Sequence, residues 1–154
     1  MRAPEAERKA DGRQSPTALA VARGVRRLLR SLGYSTLPEV ALPSGRRADL
    51  VAVSGGSAIH IIEIKSRVAD FRADQKWPDY RAHCDRLWFA IPQDMPQDLL
   101  PLDAGLIVAD AYGAMVLREA PEHRLAPATR RAMLLRFALT GADRLHALAD
   151  PERG

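Results

Sequence analysis

Arg47 to Lys65 reads RADLVAVSGGSAIHIIEIK, and the fold is decided there. Two apolar runs, Ala48 to Val53 and Ala58 to Ile64, flank Ser54-Gly55-Gly56-Ser57, a hairpin signal. Isoleucine on both parities of the second run predicts a central strand covered on both faces. Side chains alternate across a strand, so Glu63 and Lys65 project to one face while Ile62 and Ile64 project to the other. The short turn ties the preceding strand alongside, so Asp49 can lie beside Glu63. Two carboxylates and one ammonium then converge in a sheet that otherwise buries Ile, Leu and Val.

A Glu-x-Lys taken alone is more often an ion pair at a strand end. Two acids on neighbouring central strands repel each other, however, unless a cation joins them. A divalent metal resolves that repulsion, since carboxylate oxygens suit Mg²⁺ or Mn²⁺. Such an ion can activate water, with Lys65 polarising it or stabilising the charge of the attacked phosphate. Phosphodiester hydrolysis fits those parts.

Upstream, Ser15-Pro16 reads as a helix N-cap followed by proline at the first helical position. The helix runs from Pro16 to about Leu32, with Leu19, Ala22, Val25, Leu28, Leu29 and Leu32 on its apolar stripe. Arg23, Arg26, Arg27 and Arg30 lie off that stripe, and Gly33 ends the helix. Tyr34 to Leu42 is an edge or bulged strand, interrupted by Pro38. Downstream, residues 68–84 form a helix bent or split at Pro78, followed by strands at Arg86 to Ile91, Gly105 to Asp110 and Met115 to Arg118. A final helix spans about Ala128 to Leu148, with a possible break at Gly141. This order predicts an α/β fold, a central mixed β-sheet flanked by α-helices. Residues 1–15 lack periodicity and read as a tail, and 16–150 as a single domain.

Composition narrows the function classes. The 154 residues are 47 % hydrophobic and 27 % charged, ordinary for a globular domain of this length. A lone cysteine, Cys84, excludes a disulfide framework and a multi-cysteine zinc site. No apolar run reaches a membrane span and the N-terminus has no secretory h-region, so the expected location is cytoplasmic with no membrane partner. The net charge of +4 permits nucleic-acid binding without demanding it. The basic excess sits in the first 36 residues and the acidic excess around the two carboxylates, as a metal site beside a polyanion-binding rim would have. His60, on the parity opposite Glu63, reads as a core histidine, and nothing near Cys84 marks a nucleophile.

The acid on one strand (Arg47-Ala48-Asp49-Leu50-Val51) and Glu63-Ile64-Lys65 on the next resemble the PD-(D/E)XK nuclease superfamily, with alanine in place of the proline. A closer resemblance is to the MmcB family of bacterial DNA repair proteins. It is carried by GRRADLVAV and IHIIEIKSRVADFRADQKWPDYRAHCDRLWFAIP, and covers about residues 17–145, most specifically Asp70 to Phe89. The resemblance implies a restriction-endonuclease-like core, with Asp49, Glu63 and the Ile64 backbone carbonyl as ligands of Mg²⁺ or Mn²⁺ and Lys65 as the catalytic cation. Glu39 is then either a further ligand or a solvated edge glutamate. Gln75 or Lys76 could hold a phosphate or the attacking water, whereas Asp74 reads as the surface partner of Lys76. Arg23, Arg27, Arg46, Arg47 and Ser66 are candidate phosphate contacts, and Trp77 and Tyr80 candidate stacking platforms for bases. The expected function is a metal-dependent deoxyribonuclease of DNA repair. The alternative is a non-catalytic DNA-binding or adaptor module working with other repair proteins. DNA rather than RNA comes from the resemblance alone, and the oligomeric state is open.

Overall fold

The computed structural model describes residues 14–151; the expected tail, except for its last two residues, lies outside them. Helix α1 (Pro16–Ser31) is followed by strands β1 (Tyr34–Ala41), β2 (Arg47–Ser54) and β3 (Ile59–Ile64). Helix α2 (Val68–Ala73) and a 3₁₀ helix (Trp77–His83) lead to β4 (Arg86–Ile91), β5 (Gly105–Ala109), β6 (Ala114–Arg118) and helix α3 (Pro127–Ala149). The six strands lie side by side in chain order. β1, β2 and β3 form an antiparallel meander, β3, β4 and β5 are parallel, and β6 returns antiparallel to β5.

Every residue of β3 is buried, as isoleucine on both parities requires. On one face Val21, Val25 and Leu29 of α1 pack with Leu50, Ala52, Ile62, Trp88 and Ile107. On the other, Val51, Ile59, Ile61 and Leu87 pack with Tyr80 of the 3₁₀ helix and Met133 of α3. The Ser15 hydroxyl accepts from the Ala18 N–H at 3.1 Å, capping α1, and Gly33 follows the helix at φ +87°.

Two expectations change and one holds. Leu19 and Leu32 are exposed, because the core stripe of α1 is rotated onto Val21, Gly24, Val25 and Leu29. Gly24 sets that rotation: a Cβ there would lie 2.0 Å from the Asp110 carbonyl oxygen, so glycine lets the helix approach the β5–β6 turn. α3 runs unbroken through Gly141, whose position faces the Leu37 side chain at 3.5 Å. Pro38 keeps β1 at the sheet edge, and the register passes from Pro38↔Leu50 to Val40↔Ala48 with Glu39 between them at φ 49°.

Candidate functional site

The β2–β3 register runs from Val53↔Ile59 to Leu50↔Ile62, and beyond it side chains replace the backbone ladder. The Asp49 N–H donates to Glu63 Oε2 at 2.8 Å, and the Ile64 N–H donates to Asp49 Oδ2 at 2.8 Å. β3 meanwhile stays paired with β4, the Lys65 N–H donating to the Ala90 carbonyl at 3.0 Å. The strands therefore part around two carboxylates at the carboxyl end of β3, where the sheet changes from antiparallel to parallel.

Glu63 is 3 % exposed and Lys65 8 % exposed. Lys65 Nζ stands 2.5 Å from Asp74 Oδ2. Asp74 is thus the partner of the buried lysine, and its bond to Lys76 is to the backbone N–H at 2.9 Å rather than to the ammonium. This corrects the expectation of a surface Asp74–Lys76 pair. Burial works to raise the Asp74 pKa, but the Lys65 ammonium and the Lys76 N–H outweigh it and hold the group below its ordinary value. Glu63 goes the other way. Burial and the neighbouring Asp49 carboxylate push its pKa well above the usual range, despite the Asp49 N–H, Lys65 and the Tyr80 hydroxyl.

A cavity of about 320 Å³ lies over these groups, lined by Asp49, Glu63, Lys65, Ser66, Asp74, Tyr80 and the start of α1 at Gln14 and Ser15. Gln14 also lines a larger groove of about 830 Å³ between α1 and β1, walled by Arg23, Arg26, Arg27 and Arg30. These four arginines are exposed and make no ion pair among the described residues. Arg26 Nε donates to Thr36 Oγ1 at 3.0 Å and Arg27 Nη1 to the Tyr112 carbonyl at 3.3 Å, which orients both guanidinium groups. The basic groove and the acidic cavity thus have Gln14 as a common wall.

The other candidates are placed as follows. Ser66 Oγ lies 3.3 Å from Ser15 Oγ and 3.3 Å from Asp70 Oδ2, joining the entrance of α1 to the segment after β3. Arg46 is ion-paired with Asp79 at 2.8 Å, while Arg47 is exposed and its carbonyl accepts from the Tyr80 hydroxyl at 3.1 Å. Gln75 is exposed and donates to the Arg72 carbonyl; Lys76 is exposed. Glu39 stands on β1 level with Asp49 but is absent from the cavity lining, and its carbonyl accepts from Arg144. The structure corrects both stacking platforms. Tyr80 is buried beneath Glu63, and Trp77 is packed edge-on against Phe89 with the Arg81 guanidinium over its ring. His60 is a core group, as expected: Trp88 Nε1 donates to its Nδ1 at 3.0 Å, and burial, aided by Arg86, lowers its pKa to about 4.

The residues missed by sequence reasoning are Asp74 in its true role and Tyr80 as a neighbour of Glu63. The only signal for Tyr80 was a 3₁₀ or helical turn after Pro78 facing the sheet.

Because the Glu63 pKa is raised on folding, its ionisation costs stability as pH rises above the unfolded value near 4.5. Glu63→Gln is expected to stabilise the fold at neutral pH by about 1–2 kcal/mol, since the unfolded chain ionises this carboxyl there while burial beside Asp49 resists it, a cost the amide avoids. Urea unfolding at two pH values checks it. The gain should shrink at pH values below the carboxylate range, and an equal gain at both would contradict this account.

The mixed sheet, the helices on both faces and the paired acids at the parted strands define a PD-(D/E)XK nuclease-like protein. Within that superfamily the chain belongs to the MmcB-like family: the model described as "DNA repair protein MmcB-like" matches residues 5–152. It is similar to a solved structure titled "SPO1766 protein of unknown function from Silicibacter pomeroyi", at 42 % identity and a TM-score of 0.87. That match covers 92 % of this chain and 97 % of the other. A comparison with curated proteins gives no match.

Proposed function

We propose that this protein is a DNA-binding module of a DNA-repair assembly, built on a nuclease-like core. The observation that carries the reading is the groove walled by Arg23, Arg26, Arg27 and Arg30. Guanidinium groups match phosphate geometry, and several along one helix follow the strand backbone without reading bases. The family description supplies the DNA-repair context.

Binding is put before hydrolysis for a chemical reason. Among the described residues, no group of three or more His, Cys, Asp or Glu side chains is placed to hold a metal. Asp49 and Glu63 each accept a main-chain N–H, and the Lys65 ammonium is engaged by Asp74. A lysine so neutralised has to leave its partner before it can stabilise a developing negative charge.

One observation favours metal-dependent hydrolysis as a second reading: two adjacent carboxylates, one buried with a raised pKa, beside a cavity that shares Gln14 with the arginine groove. As hard oxygen donors, Asp49, Glu63 and the Ile64 carbonyl fit Mg²⁺ or Mn²⁺ in type. A bound ion would offset the repulsion of the two acids and polarise a water. In that reading Lys65, turned from Asp74, would steady the phosphate.

Labelled single-stranded, duplex and forked DNA, incubated with Mg²⁺ or Mn²⁺, separates the two. The module reading predicts salt-sensitive binding, no cutting, and Lys65→Ala binding within about threefold of wild type, because Lys65 is outside the arginine groove. Metal-dependent cutting abolished in Lys65→Ala would overturn it in favour of hydrolysis.

A further inference from the structure

The apolar residues of α3 are not confined to one side. Met133, Leu134 and Phe137 turn toward the sheet, Arg130 is bonded to Asp85, and Arg144 donates to the carbonyls of Pro38 and Glu39. At roughly 100° per residue, the opposite side carries Leu135, Leu139 and Ala142, with Ala138 and Leu145 on its flank. Leu135 is 59 % exposed, Leu139 55 %, Leu145 68 % and, near the end of the helix, Leu148 82 %. Large apolar side chains left exposed on the outward side of a helix mark an interaction surface.

The charges along the stripe say what covers it. Arg136 and Asp143 lie on one flank, seven residues and so about two turns apart. With Ala132, Leu135, Leu139 and Thr140 they line a shallow groove of about 390 Å³. A basic and an acidic residue two turns apart on the same flank complement an identical helix laid antiparallel.

We propose that α3 is a self-association surface on which a second copy of this chain packs its own α3 antiparallel, about a two-fold axis at Leu139. On that axis Leu139 meets Leu139 of the second copy. Leu135 packs over Ala142 of the second copy, and Arg136 pairs with Asp143 of the second copy, each contact occurring twice. A parallel pairing would put this flank of the two helices on opposite sides of the dimer, where Arg136 and Asp143 could not meet. The dimer buries the leucines, and the two rim ion pairs fix its direction.

Sedimentation and light scattering on the full chain test this. Wild type is expected at twice the monomer mass at micromolar concentrations. Leu139→Arg is expected to raise the dimer Kd about 100-fold or more, by placing two cations on the axis. Its thermal unfolding, read by circular dichroism in dilute samples, should match wild-type monomer, since Leu139 is exposed in the single chain. Arg136→Asp and Asp143→Arg should each weaken the dimer about tenfold, and the two together should return it to near the wild-type Kd. A monomeric wild type, a dimer indifferent to Leu139→Arg, or a double variant no better than the singles would overturn the proposal.

Discussion

Asp85→Ala is expected to destabilise the fold by about 3–5 kcal/mol, because it leaves a partly buried arginine without its counter-ion. Asp85 sits just before β4 and is buried. Arg130 of α3 grips it with two bonds of 2.6 Å, while the N–H groups of Ile59 and Leu125 donate to it at 2.8 and 2.9 Å. One carboxylate thus ties together the start of β3, the entry to β4 and the N-terminal turn of α3. Urea unfolding read by tryptophan fluorescence measures the loss. A change below about 1 kcal/mol would mean that the network contributes no more than a surface pair.

The same group sets an acid limit. Burial works to raise the Asp85 pKa, but Arg130 and the two N–H donors outweigh it and hold the carboxyl at about 2. A carboxylate depressed on folding contributes stability above its unfolded value, here 3.8, and that contribution is lost as pH falls toward 2. Glu63 has the opposite sign and acts above 4.5. The two effects occupy separate windows, so Asp85→Ala should remove the steep acid limb and leave the slope above the carboxylate range intact.

Replacing Arg23, Arg26, Arg27 and Arg30 together with glutamine is expected to weaken duplex DNA binding about 100-fold at low salt, if each guanidinium neutralises one phosphate. The variant should fold, since all four side chains are exposed and the core stripe of α1 lies on Val21, Val25 and Leu29. Fluorescence anisotropy with a labelled duplex reads the change. The loss should be uniform across sequences, as backbone contacts carry no base information. An unchanged affinity would move the DNA surface elsewhere.

Strand physics made most of the fold and the centre of the site legible. Isoleucine on both parities marked β3 as central, and the Ser54–Ser57 turn placed Asp49 beside Glu63, where the structure has the Asp49 N–H donating to the Glu63 carboxylate and the Ile64 N–H to the Asp49 carboxylate. Asp74 escaped because its partner is fixed by the path of the chain between α2 and the 3₁₀ helix, which no periodicity encodes. Tyr80 was read as a stacking ring for the same reason: an aromatic beside a proline looks alike in sequence whether it faces solvent or a buried glutamate. Gly141 reads as a possible break because glycine costs helix propensity, but α3 continues through it, and a Cβ there would meet Leu37 only at ordinary contact distance. Leu19 and Leu32 shared the helical period of the core, and only the approach of Gly24 to the β5–β6 turn decides which side of α1 goes in.

The salt dependence of DNA affinity tests the central claim most directly. Four phosphate contacts predict a plot of log K against log salt concentration with a slope of about −3.6, or an affinity loss on the order of 100-fold between about 50 and 200 mM salt. The four-arginine variant should flatten that slope toward zero. A wild-type slope already near zero, or one that persists in the variant, would contradict a DNA-binding surface on the arginine face of α1.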